Sequence, residues 1–435
     1  MKIVFSMMAL TLCLVLSVHA RQQVTLTLEK AVDLSLEKNI SVIQARNTVE
    51  GQQSSVQAAY GGLLPSVDAS GGYSHSTEWI APLSGTGSEG YSAGLSGQVV
   101  LFNGFANTSN VSRAKASASA AEYTLNRTQQ NTIYQTHQLF LNVVRTYQLL
   151  KVNEDNVKRS QRQLERISES NKVGAVALAD VYRQQVQVGT DELSLIQAQN
   201  DYEKSKVDLI AYLGVNFDTE YVFDFAGIPT DIDTSEFSGV NGQYSDFNGL
   251  VKSAIDARPD YQSAIENVNS TQASVRIAQG GHYPTVSANL DYGYKNTQLS
   301  NISDNRSLDF RLGVTFPIFS GFSTQNQIEQ AQVQRKNAEE QLMQSRRQIS
   351  VDVRKALLDL EAAEKQVQVT QTSVISAEED QKIAEEKYNL GAGTLLDLLV
   401  AHANYSTALS NKVNAVINYQ LAKKQTEFVI GTISK

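Results

Sequence analysis

Between residues 307 and 318 apolar and polar positions alternate without a break. Leu308, Phe310, Leu312, Val314, Phe316 and Ile318 share one face; Ser307, Asp309, Arg311, Gly313, Thr315 and Pro317 share the other. A period of two is the mark of a half-apolar strand. Val286, Ala288, Leu290, Tyr292 and Tyr294 alternate in the same way with Thr285, Ser287, Asn289, Asp291, Gly293 and Lys295. Upstream, Val67, Ala69, Gly71 and Tyr73 alternate with Ser66, Asp68, Ser70 and Gly72. The run Tyr91, Ala93, Leu95, Gly97, Val99, Leu101 keeps the pattern until Val100 and Phe102 break it. Stretches rich in Gly, Ser, Thr and Asn at 84–90 and 296–305 separate the members of each pair. The pattern therefore predicts two hairpins, at about 64–102 and 283–319, with strands of about 10–13 residues. Strands of that length cover a soluble core or, when tilted, cross a bilayer. Aromatic residues near the strand ends (Tyr73, Trp79, Tyr91, Phe102, Phe105, Tyr292, Tyr294, Phe316, Phe319, Phe322) favour the bilayer, because such rings gather at membrane interfaces. Open sheet edges are forbidden in lipid, so the sheet must close, and four strands are too few to enclose a channel. Several chains are needed.

The rest of the pattern is helical. No proline interrupts residues 103–170 and no glycine follows Gly104 there, while Ile133, Leu139, Phe140, Val143, Val144, Tyr147 and Leu150 keep helical spacing. This predicts one helix of about 68 residues, on the order of 100 Å long. A second such helix is expected over about 322–388. Shorter helices are expected at 28–60 and 178–213, then at 247–279 and 395–430. Two short helices laid end to end match one long one, so each half can supply a rod beside a rod made of two pieces. Rods polar on most faces need partners, and a coiled-coil-like wall follows.

The two halves repeat. Ala59, Gly61, Gly62, Pro65, Val67, Ala69 and Tyr73 recur 219 positions later, at Ala278, Gly280, Gly281, Pro284, Val286, Ala288 and Tyr292. Phe102, Gly104, Phe105, Ala114, Glu122, Leu125, Gly174, Asp180 and Gly214 recur 217 positions later, at Phe319, Gly321, Phe322, Ala331, Glu339, Leu342, Gly391, Asp397 and Gly431. The change of offset falls between Tyr73 and Phe102, where a hairpin can lose two residues. Long tandem copies imply a pseudo-symmetric molecule whose halves pack side by side. The expected layout is a signal peptide at 1–20, a first repeat at 21–214, a connecting segment at 215–245 and a second repeat at 246–435. The leader is read from Lys2, an apolar run over 3–18 and the Val18-His19-Ala20 cleavage pattern.

Cys13, the sole cysteine, leaves with that leader. No disulfide, thiol nucleophile or lipid-anchoring cysteine is then expected. Removing Lys2 lowers the basic count from 37 to 36 against 45 acidic residues, a balance of −9, which argues against nucleic acid as a partner. His75, His137, His282 and His402 lie in different elements without His spacing for zinc. With no nucleophile motif, phosphate loop or dinucleotide fingerprint, no catalysis, cofactor or metal is expected.

Two turns carry the remaining candidates. In 171–180 Gly174 stops a helix and Asp180 opens the next; in 388–397 Gly391 stops a helix, Thr394 caps its successor and Asp397 lies in the first turn. The aspartates either complement the helix dipole or, in a symmetric oligomer, form rings of negative charge around an opening.

The leader, tandem halves, one strand hairpin per half, the Pro-Thr/Ser-Val motif before the strands, the Phe-x-Gly-Phe motifs (Phe102 to Phe105, Phe319 to Phe322) and the Gly…Asp turns resemble TolC-like outer-membrane efflux proteins over about 24–431. The resemblance implies a mainly α fold with a transmembrane β part. In it, a homotrimer closes a twelve-stranded barrel in outer-membrane lipid and a twelve-helix periplasmic tunnel. It also implies a passive export duct for small molecules, without a cofactor, docked by a periplasmic adaptor and an inner-membrane RND, MFS or ABC transporter. Service in ABC-driven protein secretion is the alternative within that class, and a fibrous coiled-coil scaffold or adhesin the alternative outside it. By position, Asp397 matches an acidic residue lining the periplasmic constriction, and Tyr388 and Asp180 match residues that tie neighbouring helices in the closed state. Gly393, Val400 and Ala179 stand where the family pattern has an arginine, a second lining aspartate and a threonine.

Overall fold

The computed structural model describes residues 24–78, 86–229 and 246–434, together with 231, 232, 237 and 244. The expected leader and Trp79 lie outside the described residues. The elements run β1 (Val24–Leu26), α1 (Leu28–Lys38), α2 (Ile40–Gly61), β2 (Ser66–Glu78), β3 (Thr86–Asn103), α3 (Ala106–Lys172), α4 (Leu178–Leu213) and β4 (Tyr221–Phe223), then α5 (Phe247–Ala257), α6 (Pro259–Gly280), β5 (Thr285–Asn296), β6 (Arg306–Thr315), α7 (Ser323–Asn389) and α8 (Leu395–Ile430). A short 3-10 turn at Leu299–Asp304 joins β5 to β6.

Both long helices form at the expected length, 67 residues each. The helices expected at 28–60 and 247–279 are each broken once, at Asn39 and Arg258. The breaks fall 219 residues apart, and the same structural need explains both. The C-terminus of α4 lands on the first, where Asn39 Nδ2 donates to Tyr212 O at 2.8 Å. The C-terminus of α8 lands on the second, where Arg258 Nη1 donates to Val429 O at 3.4 Å. Each donor satisfies a terminal carbonyl that the helix cannot pair itself. Gly214 and Gly431 end the arriving helices at φ +68° and +85°, and a Cβ on Gly214 would sit 2.7 Å from Lys38 O. The expected rod of two stacked pieces is thus present in both halves.

Arg258 also grips two carboxylates, Asp260 at 2.6 Å and Asp352 at 3.2 Å. Burial works against a charged Asp260, but its hydrogen bond from Arg258 and the nearby Arg127 and Arg258 charges hold its pKa below the ordinary carboxylate value.

The apolar core is a girdle around the middle of the long helices. On one side Phe140, Val143 and Val144 of α3 pack with Leu26, Leu209 and Leu213. On the other, Ile349, Val353 and Ala356 of α7 pack with Ala254 and Val429, and Leu360 and Val367 with Val416, Tyr419 and Phe237. The segment expected as the connection between the repeats contributes Val215, Ile228, Ile232 and Phe237 to this girdle. It also supplies β4, which pairs in parallel with β1, Val24 opposite Tyr221 and Leu26 opposite Phe223. The sequence reading anticipated neither strand, since three residues are too few to show a period.

The four long strands form one antiparallel sheet in the order β2-β3-β5-β6. Strand β3 begins at Thr86, inside the stretch expected to be loop, and a bulge between Val100 and Phe102 sits where the alternation fails. Strand β6 ends at Thr315, short of the predicted Ile318, because Thr315 pairs with Thr285, the first residue of β5. The apolar face of β6 is bare: Leu308, Phe310, Leu312 and Val314 are 58–70% exposed. Among the described residues no helix is long and apolar enough to cross a membrane.

Candidate functional site at the helix turns

The two turns that join α3 to α4 and α7 to α8 lie at the same end of the molecule. In the first, Gly174 takes φ +77°, Ala175 N donates back to Ser170 O and Asn171 Nδ2 donates to Val176 O, both at 2.9 Å. In the second, Gly391 takes φ +69° and the amides of Ala392 and Gly393 both donate to Lys387 O, at 2.8 and 3.1 Å. A Cβ on either Gly174 or Gly391 would meet nothing within 4 Å, so the left-handed backbone, and not space, demands glycine there. Gly393 differs. A Cβ there would lie 3.0 Å from Lys387 Cβ and 3.3 Å from Tyr388 N, so a side chain at this position would need the end of α7 to give by a few tenths of an ångström.

The equivalent aspartates have different surroundings. Asp397 completes a capping box: its amide donates to Thr394 Oγ1 at 3.2 Å, while its Oδ2 accepts from Thr394 N at 3.1 Å and from Thr394 Oγ1 at 2.7 Å. Those hydrogen bonds, the side-chain one first, lower its pKa below the ordinary value although the residue is exposed. Asp180 has Ala177 at the capping position, with no hydroxyl to pair, and instead accepts from Arg183 Nη1 at 2.9 Å. Val400 and Ala179 are both exposed.

Of the three candidates, Asp180 lies near enough to Tyr388 for its charge to act on the phenol. Burial raises the Tyr388 pKa, the charge of Asp180 adds to this, and Arg166 opposes it. The Tyr388 hydroxyl is shielded from water and has no hydrogen-bond partner among the described residues. Its ring packs in a cluster of Leu164, Ile167, Val176, Val181, Leu395 and Leu399, which ties the ends of α3, α4 and α8 to α7. An ion pair between Arg166 and Glu385, 2.7 Å apart, joins α3 to α7 beside it. Sequence reasoning missed this cluster and the ion pair. The i, i+4 spacing of Leu395 and Leu399 was a signal for it.

Above the turns, α3, α4 and α8 enclose a polar cavity of about 240 Å³ lined by Asn156, Arg159, Gln184 and His402 among others. Burial, with Arg159 adding repulsion, lowers the His402 pKa, and burial lowers His137 to about 4. Among the described residues no cluster of His, Cys, Asp or Glu has the composition to hold a metal ion.

The chain matches the family model described as outer membrane efflux protein at residues 31–215 and again at 250–432. It is 23% identical over 385 residues to the outer membrane protein TolC of Escherichia coli K12, covering 86% of this chain and 76% of that protein. It is 24% identical over 385 residues to TolC of Vibrio cholerae, covering 87% and 85%. The Campylobacter jejuni CmeC outer membrane channel shares the fold, with a TM-score of 0.79 at 19% identity over 93% of this chain and 85% of that one. The outer membrane protein VceC of Vibrio cholerae gives 0.78 at 19% identity, over 93% and 96%. The chain therefore belongs to the outer membrane efflux protein family: it is a passive duct of the outer membrane that reaches into the periplasm, and not an enzyme.

Proposed function

We propose that three copies of this duct close one twelve-stranded barrel in outer-membrane lipid. Their helices continue as a tunnel whose periplasmic mouth is engaged by an adaptor protein and an inner-membrane transporter of the RND, MFS or ABC type, for efflux of small molecules. The observation that carries this reading is the pair of open edges. Among the described residues, strands β2 and β6, of 13 and 10 residues, each have a neighbour on one side only. Unpaired backbone groups cannot remain in lipid, and four strands cannot curl shut on themselves. Two copies would give a barrel whose interior side chains fill, whereas three leave a water-filled passage.

At the mouth, Asp397 forms the constriction ring, and Tyr388 with Asp180 forms the closed-state latch. Supporting this, Asp397 is exposed at the tip, and the shielded Tyr388 hydroxyl, on which the Asp180 charge acts, has no hydrogen-bond partner among the described residues.

Deleting the gene tests the cargo. Susceptibility to chemically diverse toxic small molecules should rise severalfold and return to normal with a plasmid copy. Unchanged susceptibility, together with loss of a large polypeptide from the culture medium, would overturn the assignment in favour of protein secretion.

A further inference from the structure

Between the cluster at the turns and the girdle, the pair α3 and α4 adheres weakly to α8. The only buried residues of α8 between Leu398 and Ala415 are Ala401 and Ala408, and alanine brings little apolar area to a contact. Two polar contacts cross from α3 at this level. Asn156 Nδ2 donates to Ser406 Oγ at 2.5 Å, and the Arg159 guanidinium lies 5.6 Å from the centre of the Tyr405 ring. His402 shares that face of α8, one helical turn before Tyr405 and Ser406. It lines the cavity that α3, α4 and α8 enclose, and Arg159 lines the same cavity.

We propose that His402 is a proton-operated wedge. Protonated, it places a charge in this cavity and drives α8 away from α3 and α4, so that acid on the periplasmic side favours the open mouth. The proposal rests on the closed-mouth reading above and adds what regulates it.

Charges act on the imidazole from each element around it. Arg159 and Arg166 of α3 oppose a proton there, while Glu385 of α7 and Asp191 of α4 favour one. Both carboxylates are already engaged, Glu385 with Arg166 at 2.7 Å and Asp191 as acceptor from Gln187 Nε2 at 2.9 Å. Burial is the largest influence and disfavours an imidazolium in the cavity; Arg159 comes next and adds repulsion. Together they hold the His402 pKa below the ordinary 6.5.

With the helices apart, the imidazole meets water and returns to its ordinary value. The open form then takes up its proton at a higher pH than the closed form does. Closure is at full strength above about pH 6.5 and weakens as pH falls toward the lowered value. The closed-to-open ratio drops by up to about tenfold per pH unit in that window. Below it both forms are protonated and the ratio is constant.

The other groups at this end of the chain do not share the window. His137, one turn from Phe140 of the girdle, takes its proton only at about pH 4. Asp397, with its lowered pKa, keeps its charge throughout. His75 on β2 and His282 just before β5 lie with the strands.

Single-channel recording of the full-length protein in planar bilayers tests the switch. Lowering the periplasmic-side pH from about 7.5 to about 5.5 should raise the open fraction of the wild-type channel severalfold. His402→Gln keeps a polar side chain that cannot gain a proton, and its open fraction should be the same at both values. Gln185 already holds the equivalent place in the first repeat, 217 positions earlier. His402→Phe, a second neutral variant, should behave like His402→Gln, and circular dichroism checks that both fold. A wild-type channel unmoved by acid, or an equal acid response in the neutral variants, would overturn the switch.

Tyr388→Phe, recorded at the higher pH, separates this proposal from the latch. If it opens the channel while acid leaves the wild type unmoved, the latch stands and the switch falls. If acid acts through His402 and Tyr388→Phe has no effect, the switch stands without that latch. A wild-type channel fully open at the higher pH would sink the closed mouth and the switch together.

Discussion

Asp397 has two demands on one carboxylate. Its Oδ2 closes the capping box with Thr394, and its charge stands exposed at the tip of the molecule. The depressed pKa means that its contribution to the helix start is complete above the ordinary carboxylate value of 3.8 and is lost as pH falls through the lower folded value. Asparagine retains an oxygen for the Thr394 amide but removes the charge, which separates the two roles. Asp397→Asn should therefore weaken block of single-channel current by a trivalent cation added on the periplasmic side, with little change in folding. Equal block in both proteins would leave Asp397 as a helix cap alone. The cap itself was legible, since Thr394 and Asp397 have capping-box spacing. The pairing of Asp180 with Arg183 was not. Repeat symmetry suggested equivalent roles, but Ala177 offers no hydroxyl, so Asp180 turns to the cation one helical turn away.

Elements follow their periodicity where it is long. The 67-residue helices and the alternating strands were legible because many positions repeat one rule. The breaks at Asn39 and Arg258 were not, because one non-helical residue leaves the apolar spacing on both sides nearly intact. Only Pro259 gave a local signal, through the extended conformation that proline imposes on the residue before it. What requires each break is the arriving end of α4 or α8, more than 170 residues away along the chain. For the strands the pattern also predicts facing. Leu312 lies on the apolar face of β6, and its neighbour Arg311 points to the other side. Leu312→Arg should cost about 2–4 kcal/mol of membrane assembly if the residue lies near the bilayer midplane. Arg311→Leu should be tolerated. Heat-modifiable gel mobility of outer-membrane fractions reads both, and the reverse order of effects would mean that the strand faces are assigned the wrong way round.

At the scale of the whole molecule the duplication was legible from two constant offsets, and with it the paired turns at one end. The contacts between those turns were not, since Arg166, Glu385 and Tyr388 meet only once four helix ends are assembled. Tyr388 is the informative member. A buried hydroxyl without a partner costs about 1–3 kcal/mol, and no hydrogen bond among the described residues offsets this for Tyr388. Within one chain, then, Tyr388→Phe should leave thermal stability unchanged or slightly raised. If the hydroxyl instead bonds to a neighbouring helix in the closed trimer, the same change releases the mouth. Tyr388→Phe should then raise single-channel conductance in planar bilayers and admit larger solutes. Leu399→Ala, which thins the same cluster without touching a polar group, should lower stability more than it alters conductance. Wild-type conductance in Tyr388→Phe would remove Tyr388 from the latch and leave its ring as packing for the four helix ends.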